Sequence, residues 1–193
     1  MRGARARLAG RAGVLALLSA TLLGACTSGG APEGYDRVED GWLRVDVPEG
    51  WTDTGALNDR WSRSWQDAEG EQGAVQLAAV PAWGTAGSDA ASGQLVAEAQ
   101  VGGYPGFQVE NQDWPDLEAD TQRWRIDFTY ESEDGEPLQG VWWVASDKET
   151  SKTVAVQLTG EHLDEEVVTA IGESIAVIDT DATPSGQPSA QAG

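Results

Sequence analysis

The chain has 193 residues but only one cysteine, one histidine and one methionine, and 12 Lys and Arg stand against 32 Asp and Glu. A single thiol excludes an intramolecular disulfide and any cysteine-rich zinc site. A single imidazole leaves little for the common histidine-based catalytic sets. The formal net charge of -20 excludes a basic face that would grip nucleic acid or anionic lipid. Long apolar runs are also missing. The apolar stretch near the N-terminus, Ala12 to Leu23, carries no charge and would make a helix of roughly 18 Å, well short of the ~30 Å hydrocarbon core. What the chain does hold is tryptophan, nine in all, and a 40% apolar content that is enough for one core. One ordinary domain with short appendages is the expectation.

The scarce cations are unevenly placed. Arg2, Arg5, Arg7 and Arg11 precede the uncharged Ala12–Leu23 stretch, and no acid occurs before Glu33. A basic n-region followed by an apolar h-region is the pattern of a secretory signal. Directly after it, Leu22-Leu23-Gly24-Ala25-Cys26 resembles the lipobox of bacterial lipoproteins. It has an aliphatic residue three before the cysteine, two small residues, then the cysteine itself. Gly24 is less usual than Ala or Ser at its position, but it is small. The resemblance implies that the Cys26 thiol receives a diacylglyceryl group. It further implies cleavage between Ala25 and Cys26, and acylation of the new amine with a chain such as palmitate. Loss of four arginines and no acids takes the net charge from -20 to -24, so attachment to an anionic bilayer must come from the lipid. The expected organisation is signal peptide 1–25, lipidated flexible tether 26–34, one domain over 35–181, and a polar disordered tail over 182–193.

Within 35–181 a two-residue period dominates. Leu43, Val45 and Val47 alternate with charge until Pro48-Glu49-Gly50, and Trp51 returns to the core. Arg60–Gln66 aligns Trp61, Arg63 and Trp65 on one face. Ala74–Val80 reads as a buried strand ended by Pro81. Ser88 is placed to cap a helix over Asp89–Gln100 with Leu95, Val96 and Ala99 inward. Phe107–Glu110 starts a further strand. Trp124, Ile126, Phe128 and Tyr130 then alternate with Arg123, Arg125 and Asp127, and Asp134-Gly135 signals a hairpin into Leu138–Ser146. Thr153–Leu158 alternates again, and a last helix from Leu163-Asp164 to Ser174 buries Val167, Val168, Ile171 and Ile175. Successive strands with short turns predict an α+β domain, an antiparallel sheet flanked by helices.

The segment Gly41–Trp51, with its Pro48-Glu49-Gly50-Trp51 turn, is similar to the opening strand of the PsbP/Mog1-like superfamily, and the later hairpins and closing helix fit that fold over roughly Val38–Ile178. The resemblance implies a PsbP/Mog1-like sandwich whose members mostly bind or assemble without catalysis. It names no ligand.

The chemical constellations are thin. His162 beside Glu161 and near Asp164 has no nucleophile to serve, so a surface histidine near a helix start is the expectation. Asp113, Asp116, Glu118, Asp120 and Asp127 are spaced like hard-cation ligands. However, Thr121 stands where a calcium loop needs glycine, and a solvated acidic loop is the reading. Neither catalytic residues nor a metal or other cofactor is expected. Nine tryptophans exceed what one small core buries with ease, which points to some lying in a groove or on a surface, where aromatic faces bind sugars or apolar ligands. The adjacent Trp142 and Trp143 must face opposite ways, so helices on both faces would bury both.

Three functions follow in order. The first is a membrane-anchored, extracytoplasmic, non-enzymatic lipoprotein of the cell envelope that binds a protein or envelope component. The second is a tryptophan-rich carbohydrate- or lipid-binding module. The third is an acidic-residue hydrolase. Partners are therefore the membrane through Cys26 and an envelope protein or glycan, with no nucleic acid. In the first case wild type partitions into detergent phase and takes up labelled fatty acid, while Cys26→Ser does neither and accumulates as precursor; an acylated Ser variant would overturn the lipobox reading.

Overall fold

The computed structural model describes residues 30–67 and 74–181. The expected signal, Ala25, Cys26 and the tail over 182–193 lie outside these. The last residues of the expected tether are tied down, since Tyr35 N donates to Pro32 O and Glu49 N to Gly34 O.

Two antiparallel sheets form. In the smaller, β1 (Tyr35–Asp40) and β2 (Leu43–Pro48) make a hairpin across Gly41-Trp42, and the two-residue β10 (Ala176–Val177) pairs with the other edge of β2. In the larger, β3 (Thr52–Gly55), β4 (Arg63–Gln66) and β5 (Gln76–Gly84) lead through β9 (Thr153–Gly160), β8 (Pro137–Asp147) and β7 (Thr121–Glu131) to β6 (Gln108–Asp113) at the far edge. The backbone of Trp42 joins the sheets, its N donating to Pro81 O at 2.9 Å and its O accepting from Ile178 N at 2.8 Å.

Both faces of the large sheet are covered. On one, α1 (Ser88–Glu98) packs Ala91 and Leu95, with Ala99 just beyond, against Ala78, Trp124, Ile126, Phe128, Trp142 and Ala155. On the other, the small sheet and α2 (Glu165–Ser174) bring Leu43, Val45, Val47, Val168 and Ile171 against Trp65, Leu77, Trp143, Val156 and Leu158. Every residue of β9 is buried, as a strand covered on both faces must be. The α+β class and the flanking helices match the expectation. Leu43–Val47, however, belongs to a second sheet, which shares the covering layer with α2.

Other expectations change for local reasons. Pro81 lies inside β5, because the pairing with β9 slips between Val80 and Gly84 and a missing N–H is tolerated at that irregularity. Gly87, at φ 79°, is the N-cap of α1, so Ser88 opens the helix, and its N donates to Ser146 Oγ. The helix ends in one π-turn over Ala99–Gly103, released by Gly102 at φ 118°. The last helix begins where the sequence implies, and Asp164 caps it, its Oδ1 accepting from Glu166 N at 2.8 Å. Trp61 and Trp65 do not share a face. Trp61 precedes β4 and closes a turn, its O accepting from Leu57 N, so the two-residue period starts only at Arg63. Arg63 and Trp65 do share one, the guanidinium 5.2 Å from the ring centroid.

Gly140 pairs with Phe128 across β7 and β8, and a Cβ there would meet Phe128 Cζ at 2.2 Å. The ring occupies the space a side chain would need. Gly140→Ala is therefore expected to cost about 1–3 kcal/mol, read as a lower urea midpoint at unchanged slope.

Candidate functional site

Polar residues on the α1 side of the strands fall at both ends: Ser146 and Thr153 pair beside the start of α1, and a second group lies at the opposite end. Trp65 faces α2, so Gln66 faces the α1 side; Gln76 shares that side with Ala78, and Thr159 with Gln157. Register brings them together, since Gln66 pairs with Gln76 and Gln76 with Thr159. Together with Tyr130 and Leu138 they line an open groove of about 560 Å³. One wall is the β7–β8 hairpin tip, with Ser132, Asp134 and Glu136, and the other is Gly160-Glu161 at the end of β9. That tip is held by Ser132 N to Glu136 O at 2.9 Å and Gly135 N to Ser132 O at 3.0 Å, with Gly135 at φ 82°.

A ring cluster separates the groove from α1. Tyr104 lies edge-on to Tyr130 at 4.9 Å and to Trp142 at 5.8 Å, and Phe128 lies 4.2 Å from Trp142. Its polar tips converge on Gln157 Oε1, which accepts from Tyr104 Oη at 2.6 Å and from Trp142 Nε1 at 2.8 Å. Burial pushes the Tyr104 hydroxyl up to about 12, with Tyr130 nearby adding to the rise. Burial likewise raises Tyr130, while its hydrogen bond with Thr159 works the other way. Both phenols are thus neutral across the physiological range and keep their O–H as a donor.

Among the described residues no cation lines the groove, whereas Asp134, Glu136 and Glu161 do. Amide and hydroxyl groups on the floor with carboxylates at the rim suit a ligand that is uncharged and hydroxyl-rich or positively charged, and they repel anions.

The residues singled out from the sequence fall elsewhere. His162 sits exposed in the turn before α2 and is not among the residues lining the groove. Asp116, Glu118 and Asp120 are exposed in the loop after β6. Asp116 Oδ1 accepts from Glu118 N, and Asp127 is paired with Arg125 at 2.8 Å. Among the described residues no three His, Cys, Asp or Glu side chains gather as a metal site. Of the tryptophans, Trp61, Trp65, Trp124, Trp142 and Trp143 are buried, Trp42, Trp51 and Trp83 are half-buried, and Trp114 is exposed. None of them lines the groove of Gln66, Gln76 and Thr159, while Trp83 lines a separate cleft with Arg60 and Gln94. Sequence reasoning passed over Gln66, Gln76, Tyr130 and Thr159. The signal available was glutamine placed in register with buried apolar positions of strands.

No family model matches the chain, and no curated protein matches it. Solved structures show a likeness in the course of the chain. LpqN of Mycobacterium tuberculosis, described as involved in cell envelope biogenesis, is 13% identical, with 75% of this chain and 91% of that one covered and a TM-score of 0.47. The Ran-binding protein Mog1p of Saccharomyces cerevisiae is 14% identical, with 75% and 96% covered and a TM-score of 0.45. A Pseudomonas aeruginosa protein of unknown function is 11% identical, with 76% and 99% covered and a TM-score of 0.44.

The raised tyrosines make alkaline stability a check on the cluster. The unfolded chain ionises tyrosine near pH 10, whereas folded Tyr104 holds its proton to about 12. The folded state then binds more protons, so stability is complete below about pH 10 and falls as pH rises toward 12. Tyr104→Phe is expected to flatten that fall in urea titrations from pH 9 to 12, at the cost of one hydrogen bond to Gln157.

Proposed function

We propose that the chain is a lipid-anchored, extracytoplasmic, non-enzymatic binding protein of the bacterial cell envelope. In this reading residues 1–25 are a signal peptide, Cys26 carries the lipid after cleavage at Ala25, and 26–34 is a tether. Residues 35–181 are one PsbP/Mog1-like domain, and 182–193 are a tail. Anchoring is supported by the Leu22–Cys26 word directly after an uncharged stretch. It also fits the charge, since none of the described helices is long and apolar enough to cross a membrane, and an acidic surface has no other hold on a bilayer.

The observation that carries binding is the groove itself. It presents amides, hydroxyls and carboxylates, and its one free hydroxyl-bearing serine, Ser132, is engaged by its own turn, with Oγ accepting from Glu136 N at 3.1 Å. Nothing in that lining pairs a nucleophile with a base, so recognition is the chemistry it supports. The partner is an envelope protein or a glycan. The floor of Gln66, Gln76 and Thr159 favours hydroxyl or backbone amide groups of either.

A photo-crosslinking residue at Gln66 in the lipidated protein, activated in intact cells, is expected to trap one discrete envelope component. Adding Gln76→Leu and Thr159→Val should reduce that product about tenfold while acylation continues, since unpaired polar groups on the ligand are costly to bury. A crosslink that survives both changes would move the binding site elsewhere.

A further inference from the structure

The edge of the large sheet farthest from β3 carries an unusual surface. All six residues of β6 are exposed, and among the described residues its only strand partner is β7. Along β6 and the loop after it, three large apolar side chains stand in solvent: Val109 is 40% exposed, Leu117 65% and Trp114 77%. Trp114 lies 4.7 Å from Trp124, which is buried beneath it with an Nε1 that finds no acceptor. An apolar group as large as an indole gains by leaving water, so one held exposed above a second ring marks a surface that another molecule can cover.

The loop that presents these side chains is fixed. Lys148 Nζ donates to Leu117 O at 2.9 Å, Lys148 N donates to Asp120 O at 2.8 Å, and Ala119 N donates to Asp116 O at 3.2 Å. A surface ordered before binding loses little entropy when it is covered.

Charge decides what can cover it. Glu110, Asp113, Asp116, Glu118 and Asp120 are exposed along β6 and the loop after it, and they outnumber Arg125, paired with Asp127, and the single ammonium of Lys148 that holds the loop. A second copy of this chain, itself at -20, would bring like charge, as would an anionic bilayer. The edge also discriminates by shape. A bulge at Glu110, between the pairs Val109–Phe128 and Asn111–Asp127, leaves Asn111–Asp113 as the flat stretch leading into Trp114.

We propose that β6 and the Trp114–Leu117 turn form the docking surface for an extended, basic segment of a partner protein, which adds as a strand beside Asn111–Asp113 and packs apolar side chains on Trp114 and Leu117. Backbone hydrogen bonds supply the pairing, alternate apolar side chains the contact, and lysine or arginine between them the charge match. This surface is separate from the groove, so either can fail without the other.

The test uses the full chain in detergent and a short fluorescein-labelled peptide of alternating Lys and Val, with two controls. One control has Glu for every Lys, and the other has alternate backbone amides of the Lys peptide N-methylated. The Lys peptide is expected to bind saturably and to slow amide hydrogen exchange over Gln108–Asp113. The Glu peptide and the N-methylated peptide should each bind at least about tenfold more weakly, as should the Lys peptide to Trp114→Ser/Leu117→Ser. Leu117→Ser alone, which leaves Trp124 covered, must weaken binding in the same direction at an unchanged unfolding midpoint. Equal binding of the N-methylated peptide, or of the double variant, would overturn the proposal. So would Trp114-dependent self-association in sedimentation, or Trp114-dependent binding to phospholipid vesicles in place of the peptide.

Discussion

Neighbouring residues on a strand point to opposite faces, so Trp142 and Trp143 cannot share a core. The chain resolves this by covering β8 on both sides, leaving Trp142 at 1% and Trp143 at 2% exposure. Much of the architecture follows from that strand. Trp142 needs an acceptor for its buried indole N–H, which Gln157 on β9 provides, and Gln157 also accepts from the Tyr104 hydroxyl at the end of the π-turn. Trp143 needs a close neighbour on the other face, and Gly172 of α2 allows it, since a Cβ there would lie 2.7 Å from Trp143 Nε1. One pair of adjacent rings therefore fixes where both covering layers sit.

Charge is organised just as tightly. After Arg11 the chain has only eight cations, and each is committed within the fold. Arg37 holds the buried Asp46, Arg63 bridges Asp40 and Asp53, Arg60 grips Glu98 while lying 4.7 Å from the Trp83 ring, and Lys152 pairs with Asp179. Arg123 donates to the carbonyls of Gly172 and Ile175 at the end of α2, and burial lowers its affinity for its proton. The remaining surface is a field of carboxylates. Such a field selects uncharged or basic partners, keeps copies apart, and gives the groove and the β6 edge the same sign.

Elements with strong local patterning were legible. The alternation through Trp124–Tyr130, the Asp134-Gly135 turn and the start of the last helix near Leu163-Asp164 needed no partner to be read, because period and turn chemistry act within a few residues. β1, β3 and β10 were not legible. Thr52–Gly55 is polar and nearly all exposed, Tyr35–Asp40 mixes charge with one buried position, and Ala176–Val177 is two residues long. These become strands because a neighbour's unpaired edge is there to bond them. Which tryptophans are buried was not legible either: a sheet covered on both faces buries five of the nine and leaves Trp114 in solvent, and that division depends on the assembled layers.

The sequence alone determined the class of the domain, its acidity, and the anchor expected at Cys26, because composition, periodicity and a signal word act locally and need no fold. Only the tertiary structure decided that Gln66, Gln76, Tyr130 and Thr159 share a groove with the hairpin carboxylates, and that Trp114 rather than Trp61 or Trp65 faces solvent. Those residues come from strands distant in sequence and meet through antiparallel register. Register is set by which faces must be buried, and burial is a property of the whole assembled sheet.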